Sequence, residues 1–381
     1  MILMAQIQYL TQIYLESGAI QRIPAECLRL GIKKPLIVTD QGIRSAGILS
    51  TIEQILIGID FAVFDQTPSN PTQQAAEKGK EIYEKNLCDG LIALGGGSSM
   101  DCAKVISIIT THHEPLKNYA TIEGGSHKIT AQVSPLIAIP TTSGTGSEVA
   151  RGAILILNDG RKLGFHSWHI LPKSAICDPD LTLNLPPHLT AATGMDAIAH
   201  CVETFLNAPF NPTADAIALD GLERAWQYIE IATEQGHNSE ARLQMMTASM
   251  HGAMAFQKGL GCIHSLSHSI GGLFPHLHHG TLNAVFLPAV LRFNADAPSV
   301  MNQQKMMKIA KTIGISDAKL VTEAMFNLSQ KLKLPSGLRD LGVSEADFDQ
   351  IIEGALKDHC HLTNPRIASI SDYKKILIES M

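Results

Sequence analysis

Gly90-Leu91-Ile92-Ala93-Leu94-Gly95-Gly96-Gly97-Ser98-Ser99-Met100 is the stretch that decides the fold. Its first five residues read as a buried strand, the glycines as a tight turn, and residues 98–110 as a helix. Strand, glycine loop and helix in that order can hold an anion. Glycine lets the backbone approach closely, and the open N–H groups of the helix start point at negative charge. The Gly-x-Gly-x-x-Gly fingerprint is absent, because Met100 stands in the third glycine's place. A tight turn without a ligand would account for these glycines equally well.

The same alternation extends on both sides. Lys34–Asp40 reads as a strand, residues 42–57 as a helix, and Asp60–Phe64 as a second strand. Pro68-Ser69-Asn70-Pro71 is a turn, and Pro71 opens a helix that runs to about Asn86. Leu136–Pro140 is a further strand, while Thr121–Gln132 reads as loop or a short hairpin. Strands alternating with helices predict a parallel sheet covered on both faces. A second polar loop, Pro140-Thr141-Thr142-Ser143-Gly144-Thr145-Gly146-Ser147-Glu148, also follows a strand. Two such loops at the carboxyl ends of parallel strands are what a cofactor crevice requires. Asp40 ends the first strand, where a carboxylate would accept from a ribose hydroxyl and repel a 2′-phosphate, or would cap the next helix.

Past Asp178-Pro179-Asp180 the texture changes. Pro186-Pro187 marks a break, and helical pattern follows over 188–207, 212–232, 240–256, 260–272, 283–294 and 300–312. The expected organisation is an α/β domain over residues 1–186 and an all-helical domain over 187–381.

That helical half carries the metal chemistry. Asp196 and His200 are four residues apart, as are His264 and His268, and His276, His278 and His279 follow, ending at Gly280. Residues four apart stack on one helix face, so each pair can aim two ligands at one point. A carboxylate with several imidazoles suits Fe²⁺ or Zn²⁺ better than Mg²⁺ or Ca²⁺. An open site of that kind polarises an alcohol or carbonyl oxygen. With 16 histidines in the chain, some such pairs also arise by chance.

Composition narrows the function class. Of 381 residues 45% are hydrophobic, and 36 acidic against 30 basic residues leave a net charge of −6. This argues against nucleic acid or an anionic membrane surface as the main partner. The seven cysteines are scattered, with no Cys-x-x-Cys, which suits a reducing cytoplasm and gives neither a zinc ribbon nor a disulfide framework. The first basic residues are Arg22 and Lys33, so the charged start of a secretory signal is missing, and no apolar run reaches membrane-spanning length. A soluble cytoplasmic protein is expected.

Taken together, G-G-G-S-S-M-D-C-A-K (95–104), P-T-T-S-G-T-G-S-E (140–148), G-M-D-A-I-A-H (194–200), H-S-L-S-H (264–268), H-G-T-L-N-A (279–284) and L-T-N-P-R (362–366) resemble the iron-containing, group III alcohol dehydrogenases in order and spacing. The resemblance implies an N-terminal dinucleotide-binding α/β domain with a parallel sheet, an all-α C-terminal domain, and a site in the cleft between them. It implies Asp196, His200, His264 and His279 as metal ligands, with His278 an open alternative to His279 and His276 a weaker one. His268 matches a non-ligand histidine associated with proton transfer. On the cofactor side it implies Asp40, Asn70, Gly96, Gly97, Ser98, Asp101, Thr141, Thr142, Ser147 and Lys162, with Asp40 favouring NAD over NADP.

The implied reaction is reversible hydride transfer between a primary alcohol or diol and NAD, with Fe²⁺ or Zn²⁺, in at least a dimer. Related activities stay open: 4-hydroxybutyrate dehydrogenase, or hydroxyacid–oxoacid transhydrogenase. A carboxylate substrate would need a cation, which Arg151 or Arg366 could supply. From another class, a non-catalytic metal- or nucleotide-binding protein is the competitor; structural zinc sites, however, are closed and rich in cysteine. Lys357-Asp358-His359-Cys360-His361 carries further histidines, placed at the surface or lining the substrate pocket.

Overall fold

The computed structural model describes Ala5 and residues 7–381. Eight strands are present among them: β1 (Gln12–Leu15), β2 (Pro35–Val38), β3 (Ala62–Phe64), β4 (Gly90–Gly95), β5 (Leu136–Pro140), β6 (Gly152–Ile156), β7 (Lys162–His166) and β8 (Ser174–Cys177). Six form one parallel sheet in the order β1-β8-β5-β4-β2-β3, and β6 and β7 form an antiparallel hairpin. By compactness the chain divides in two. Leu10–Thr142 with Gly146–Leu183 makes the α/β unit; Ser143–Thr145 and Asn184–Met381, with residues 7–9, make the helical unit.

In the α/β unit, side chains alternate across the sheet. Leu36, Val38, Leu91, Ala93, Leu136 and Ala138 feed one apolar cluster; Ile37, Ile92, Leu94, Ile137, Ile139 and Ile176 feed another. Both faces are therefore buried, as parallel sheets require. β3 and β4 flank β2 on opposite sides, so the chain reverses direction across the sheet between β2 and β4. Ligands bind at such reversals, outside the carboxyl ends of the strands.

The helical unit is built around helix Pro187–Leu206, whose residues 190–206 are all buried. Glycines on its neighbours permit close approach. A Cβ at Gly252 would lie 2.9 Å from His200 Cβ, and one at Gly221 2.9 Å from Cys201 Sγ. The open carbonyls at the end of this helix are met by two buried ammonium groups. Lys258 Nζ donates to Phe205 O at 3.1 Å, and Lys305 Nζ to Leu206 O at 3.1 Å and Asn207 O at 2.7 Å. Cations there complement the negative end of the helix dipole.

Several elements differ from the sequence reading. Residues 42–57 form two short helices, Gln41–Ser45 and Ile48–Ile55, separated by Gly47 at φ 78°. The helix read over 300–312 is also two, Pro298–Asn302 and Lys305–Thr312, with Gln304 between them at φ 51°. Left-handed residues stop a right-handed helix. The helix read from 283 begins at His279 and carries Pro288 inside it. Thr121–Gln132 holds short 3-10 turns; the hairpin is β6–β7 instead.

Candidate functional site

The anion cradle of the α/β unit forms where β4 ends. Gly95 has φ +147°, and a Cβ there would lie 2.5 Å from Ser99 Oγ. Only glycine adopts that conformation in that space. Helix Gly97–Ile109 starts at Gly96 with no side-chain cap, which leaves its first N–H groups for an anion. Gly96 faces Thr142, whose Oγ1 would lie 3.2 Å from a Cβ. Thr141 Oγ1 is buried without a hydrogen-bond partner, so a hydroxyl is set aside beside the cradle. A ligand can satisfy a buried polar group of this kind. Both features fit a dinucleotide.

Asp40 does two things. Its Oδ1 caps the following helix, accepting from Ile43 N at 3.0 Å, and its Oδ2 accepts from Ser99 Oγ at 3.4 Å. The capping and cofactor readings are thus compatible. Lys162 Nζ donates to Asn70 Oδ1 at 2.8 Å, and Ser98 Oγ donates to Ser69 O. Asp101 and Ser147 bond each other at 2.8 Å, and Asp101 also accepts from Ile154 N at 2.9 Å. Lys104, fully buried, donates to Ser147 O, Ser147 Oγ, Ala150 O and Gly152 O at 2.7–2.8 Å. Asp101, Ser147 and Lys104 together pin the second polar loop and β6 to the cradle helix.

The helical unit gathers the other cluster. Ligand-type atoms of Asp196, His264 and His279 lie within 4.8 Å of one another. From Asp196 Oδ1, His264 Nε2 is 3.8 Å away, His279 Nε2 3.7 Å and His200 Nε2 3.5 Å. His200 also stacks on His264, with ring centroids 4.6 Å apart. His276 and His278 are exposed, and His278 precedes the helix that His279 begins without a side-chain bond to it.

Asn283, one turn beyond His279, marks where these acceptors converge. Its Nδ2 donates to Asp196 Oδ1 at 2.7 Å and lies 3.2 Å from His279 Nε2 and 3.3 Å from His264 Nε2. One carboxylate oxygen and two imidazole nitrogens thus surround a single donor, the Asn283 amide nitrogen. That is the donor set and convergence a divalent metal needs.

Behind His264 stands a carboxylate that was not anticipated. His264 Nδ1 hydrogen-bonds Glu203 Oε2 at 2.5 Å, and Glu203 Oε1 accepts from Ile263 N at 2.7 Å. Glu203 and His264 are 2% and 1% exposed, so the pair is shut from water. Burial alone would lower the His264 pKa, but the Glu203 charge and hydrogen bond raise it above its ordinary value. Burial pushes His200 down to about 4. His268 stacks on His279 with ring centroids 5.3 Å apart, and its Nδ1 bonds Asp358 Oδ2 at 3.0 Å.

Residues 11–179 match the family described as iron-containing alcohol dehydrogenase, and residues 190–381 its C-terminal family. The chain belongs to the iron-containing alcohol dehydrogenases. It is 59% identical over 382 residues to a 4-hydroxybutyrate dehydrogenase of Cupriavidus necator, covering 99% of this chain and 100% of that one. A 1,3-propanediol dehydrogenase of Citrobacter freundii is 39% identical, with 92% of each chain covered. The crystal structure of a 1,3-propanediol oxidoreductase superposes with a TM-score of 0.92 at 36% identity, covering 99% of this chain and 100% of that one. As an iron-containing alcohol dehydrogenase, the chain is an NAD-dependent oxidoreductase. No helix among the described residues is long and apolar enough to cross a membrane.

Glu203 and Asn283 had a legible signal. Glu203 is seven residues from Asp196 and three from His200, hence on the same helix face, and Asn283 is four from His279. Asp358 had none, since 90 residues separate it from His268.

Proposed function

We propose that this chain oxidises 4-hydroxybutyrate, a primary alcohol bearing a carboxylate, to its aldehyde with NAD, and catalyses the reverse. The observation that carries the reaction type is the convergence of Asp196, His264 and His279 on one point. In this reading domain 1–186 holds the dinucleotide and domain 187–381 the metal. Asp196, His200, His264 and His279 are the ligands, and Fe²⁺ is the resident metal with Zn²⁺ as substitute. The metal supplies Lewis acidity that eases ionisation of an alcohol hydroxyl, and the nicotinamide supplies the hydride acceptor.

The chain's own residues do the rest. Glu203 keeps the His264 proton on Nδ1, which leaves the Nε2 lone pair for the metal. His268 takes and passes on the hydroxyl proton, and Asp358 holds its ring in place through Nδ1. The N–H groups at Gly96, Gly97 and Ser98 bind the pyrophosphate, with Thr141 and Thr142 beside them. Asp40 Oδ2 binds the ribose hydroxyls, and Asn70, Asp101, Ser147 and Lys162 shape the cofactor's surroundings. The seven free, buried cysteines are consistent with a cytoplasmic enzyme. We assign it to a homo-oligomer of at least two copies.

Substrate choice rests on the Cupriavidus necator relative, which matches this chain over nearly its whole length. Arg366 is engaged elsewhere, lying 4.0 Å over the Phe293 ring and pairing with Asp372 at 3.5 Å. Arg151 stacks on Trp168 at 4.6 Å and has no carboxylate partner among the described residues. We therefore assign the substrate carboxylate to Arg151. The 1,3-propanediol relatives support a second reading, in which the substrate is a diol. The test compares 4-hydroxybutyrate with 1,4-butanediol in wild type and Arg151→Ala. A KM raised for the acid alone supports the assignment. Equal kinetics for both substrates, in both proteins, support the diol.

A further inference from the structure

Next to Asp358, which holds the His268 ring, stand His359 and Cys360, two groups that the proposed reaction does not use. Asp358 Oδ2 lies 3.0 Å from His268 Nδ1 and 3.7 Å from His359 Nδ1. Cys360 Sγ lies 3.4 Å from His359 Nε2. One ligand-type atom from each of His268, Asp358, His359 and Cys360 falls within 4.8 Å of the other three. A short 3-10 turn, His359–Thr363, folds the sequence neighbours onto the long-range partner His268, and Asp358 Oδ1 caps that turn by accepting from Cys360 N at 2.8 Å. The second oxygen is directed at the imidazoles.

We propose that these four side chains form a second metal site, of the zinc class, and that filling it inhibits the enzyme. Tetrahedral zinc with bonds of about 2.0–2.3 Å sets its ligands roughly 3.3–3.8 Å apart, so a contraction of about 1 Å assembles the site. A carboxylate, two imidazoles and a thiolate select zinc or cobalt over magnesium and calcium. The sulfur distinguishes this set from Asp196, His200, His264 and His279, which offer none. His359 is 26% exposed in its side chain and provides the way in. On binding, the Cys360 thiol loses its proton to solvent and the thiolate joins the metal. His268 Nδ1 gives up its bond to Asp358, its proton passing by way of solvent to Nε2 of the same ring, and the freed lone pair joins the metal, so the ring is no longer held for proton transfer. Only this inhibitory consequence rests on the role assigned to His268 above; the binding itself does not.

The test is a titration of metal-loaded protein with Co²⁺, read by bound stoichiometry, by near-ultraviolet thiolate-to-cobalt absorption and by turnover. One further equivalent is expected, with that absorption, and turnover falls in step with it. Cys360→Ser loses the absorption. His359→Gln, at a partly exposed position, binds the further equivalent about tenfold or more weakly, with the first equivalent and the melting temperature unchanged. Absence of a further equivalent in wild type overturns the proposal, and so does a His359→Gln protein that binds it as tightly. Should the protein turn over none of the alcohols offered, the function assigned above fails while stoichiometry and absorption still decide this site.

Discussion

Glu203 and His264 share a 2.5 Å hydrogen bond in a place closed to water, with the carboxylate on Nδ1 and the opposite ring nitrogen facing Asp196. The bond fixes which nitrogen carries the proton. Outer partners of this kind are typically worth about 10–100-fold in metal affinity. Glu203→Gln therefore weakens Fe²⁺ or Zn²⁺ binding by about that factor, measured by competition with a chelator of known affinity. An unchanged affinity would remove Glu203 from the metal's surroundings.

His268 stacks on His279 beside the Asp196 cluster and bonds Asp358. Replacing it with Ala lowers kcat, by about 10²-fold or more for a lost acid–base group, while bound metal stays at wild-type stoichiometry. Asp358→Asn lowers kcat in the same direction by less, since it loosens the ring without removing it. Metal analysis beside turnover separates the roles: metal lost from His268→Ala would make His268 a ligand.

Asp40 uses one oxygen for the helix cap and keeps the other near Ser99. Asp40→Ser retains a capping oxygen and removes the charge. The variant should use NADP at least about tenfold better than wild type, because like-charge repulsion of several kcal/mol is relieved. Kinetics with both cofactors, and a melting temperature close to wild type, check this.

Lys104 joins the cradle helix to the second polar loop through four acceptors. Lys104→Met leaves those acceptors buried and unpaired, a loss of about 2–4 kcal/mol by the ordinary cost of such groups. Denaturant unfolding measures the loss, and NAD affinity should fall with it as the loop loosens.

Acid destabilises the metal-free protein in a defined window. Burial lowers His200 to about 4 from an ordinary 6.5, and also lowers His251 and His361. Between those values the unfolded chain binds protons that the folded chain refuses, so stability falls as pH drops from about 6.5 to 4. His200 alone contributes about 3 kcal/mol at most. His264 has the opposite sign, and its contribution is lost only as pH rises through its raised folded value. Melting temperatures of chelated protein across pH 4–7 test this, and a flat profile would contradict it.

Much of this was readable in the sequence. β2, β4 and β5 are uniformly apolar runs that end in Thr, Gly or Pro, so both their existence and their sites were legible. That Asp196, His200 and His264 come together was legible through helical spacing, and that His279 joins them through the resemblance. β1 was not: it is four residues long, and its pairing partner, β8, lies 162 residues away. Helices Val321–Lys331, Phe348–Lys357 and Ile370–Glu379 were missed because they lie beyond the motif-bearing stretches, although their apolar faces are buried. Asp358 could not be found because contacts across 90 residues leave no local pattern.

The central claim is that the Asp196 cluster holds a metal without which the alcohol is not oxidised. The direct measurement is NADH formation from 4-hydroxybutyrate and from 1,4-butanediol by metal-stripped protein, before and after one equivalent of Fe²⁺ is returned. The prediction is no turnover of either alcohol when stripped and recovery on addition. Full turnover by protein shown to contain no metal would contradict it.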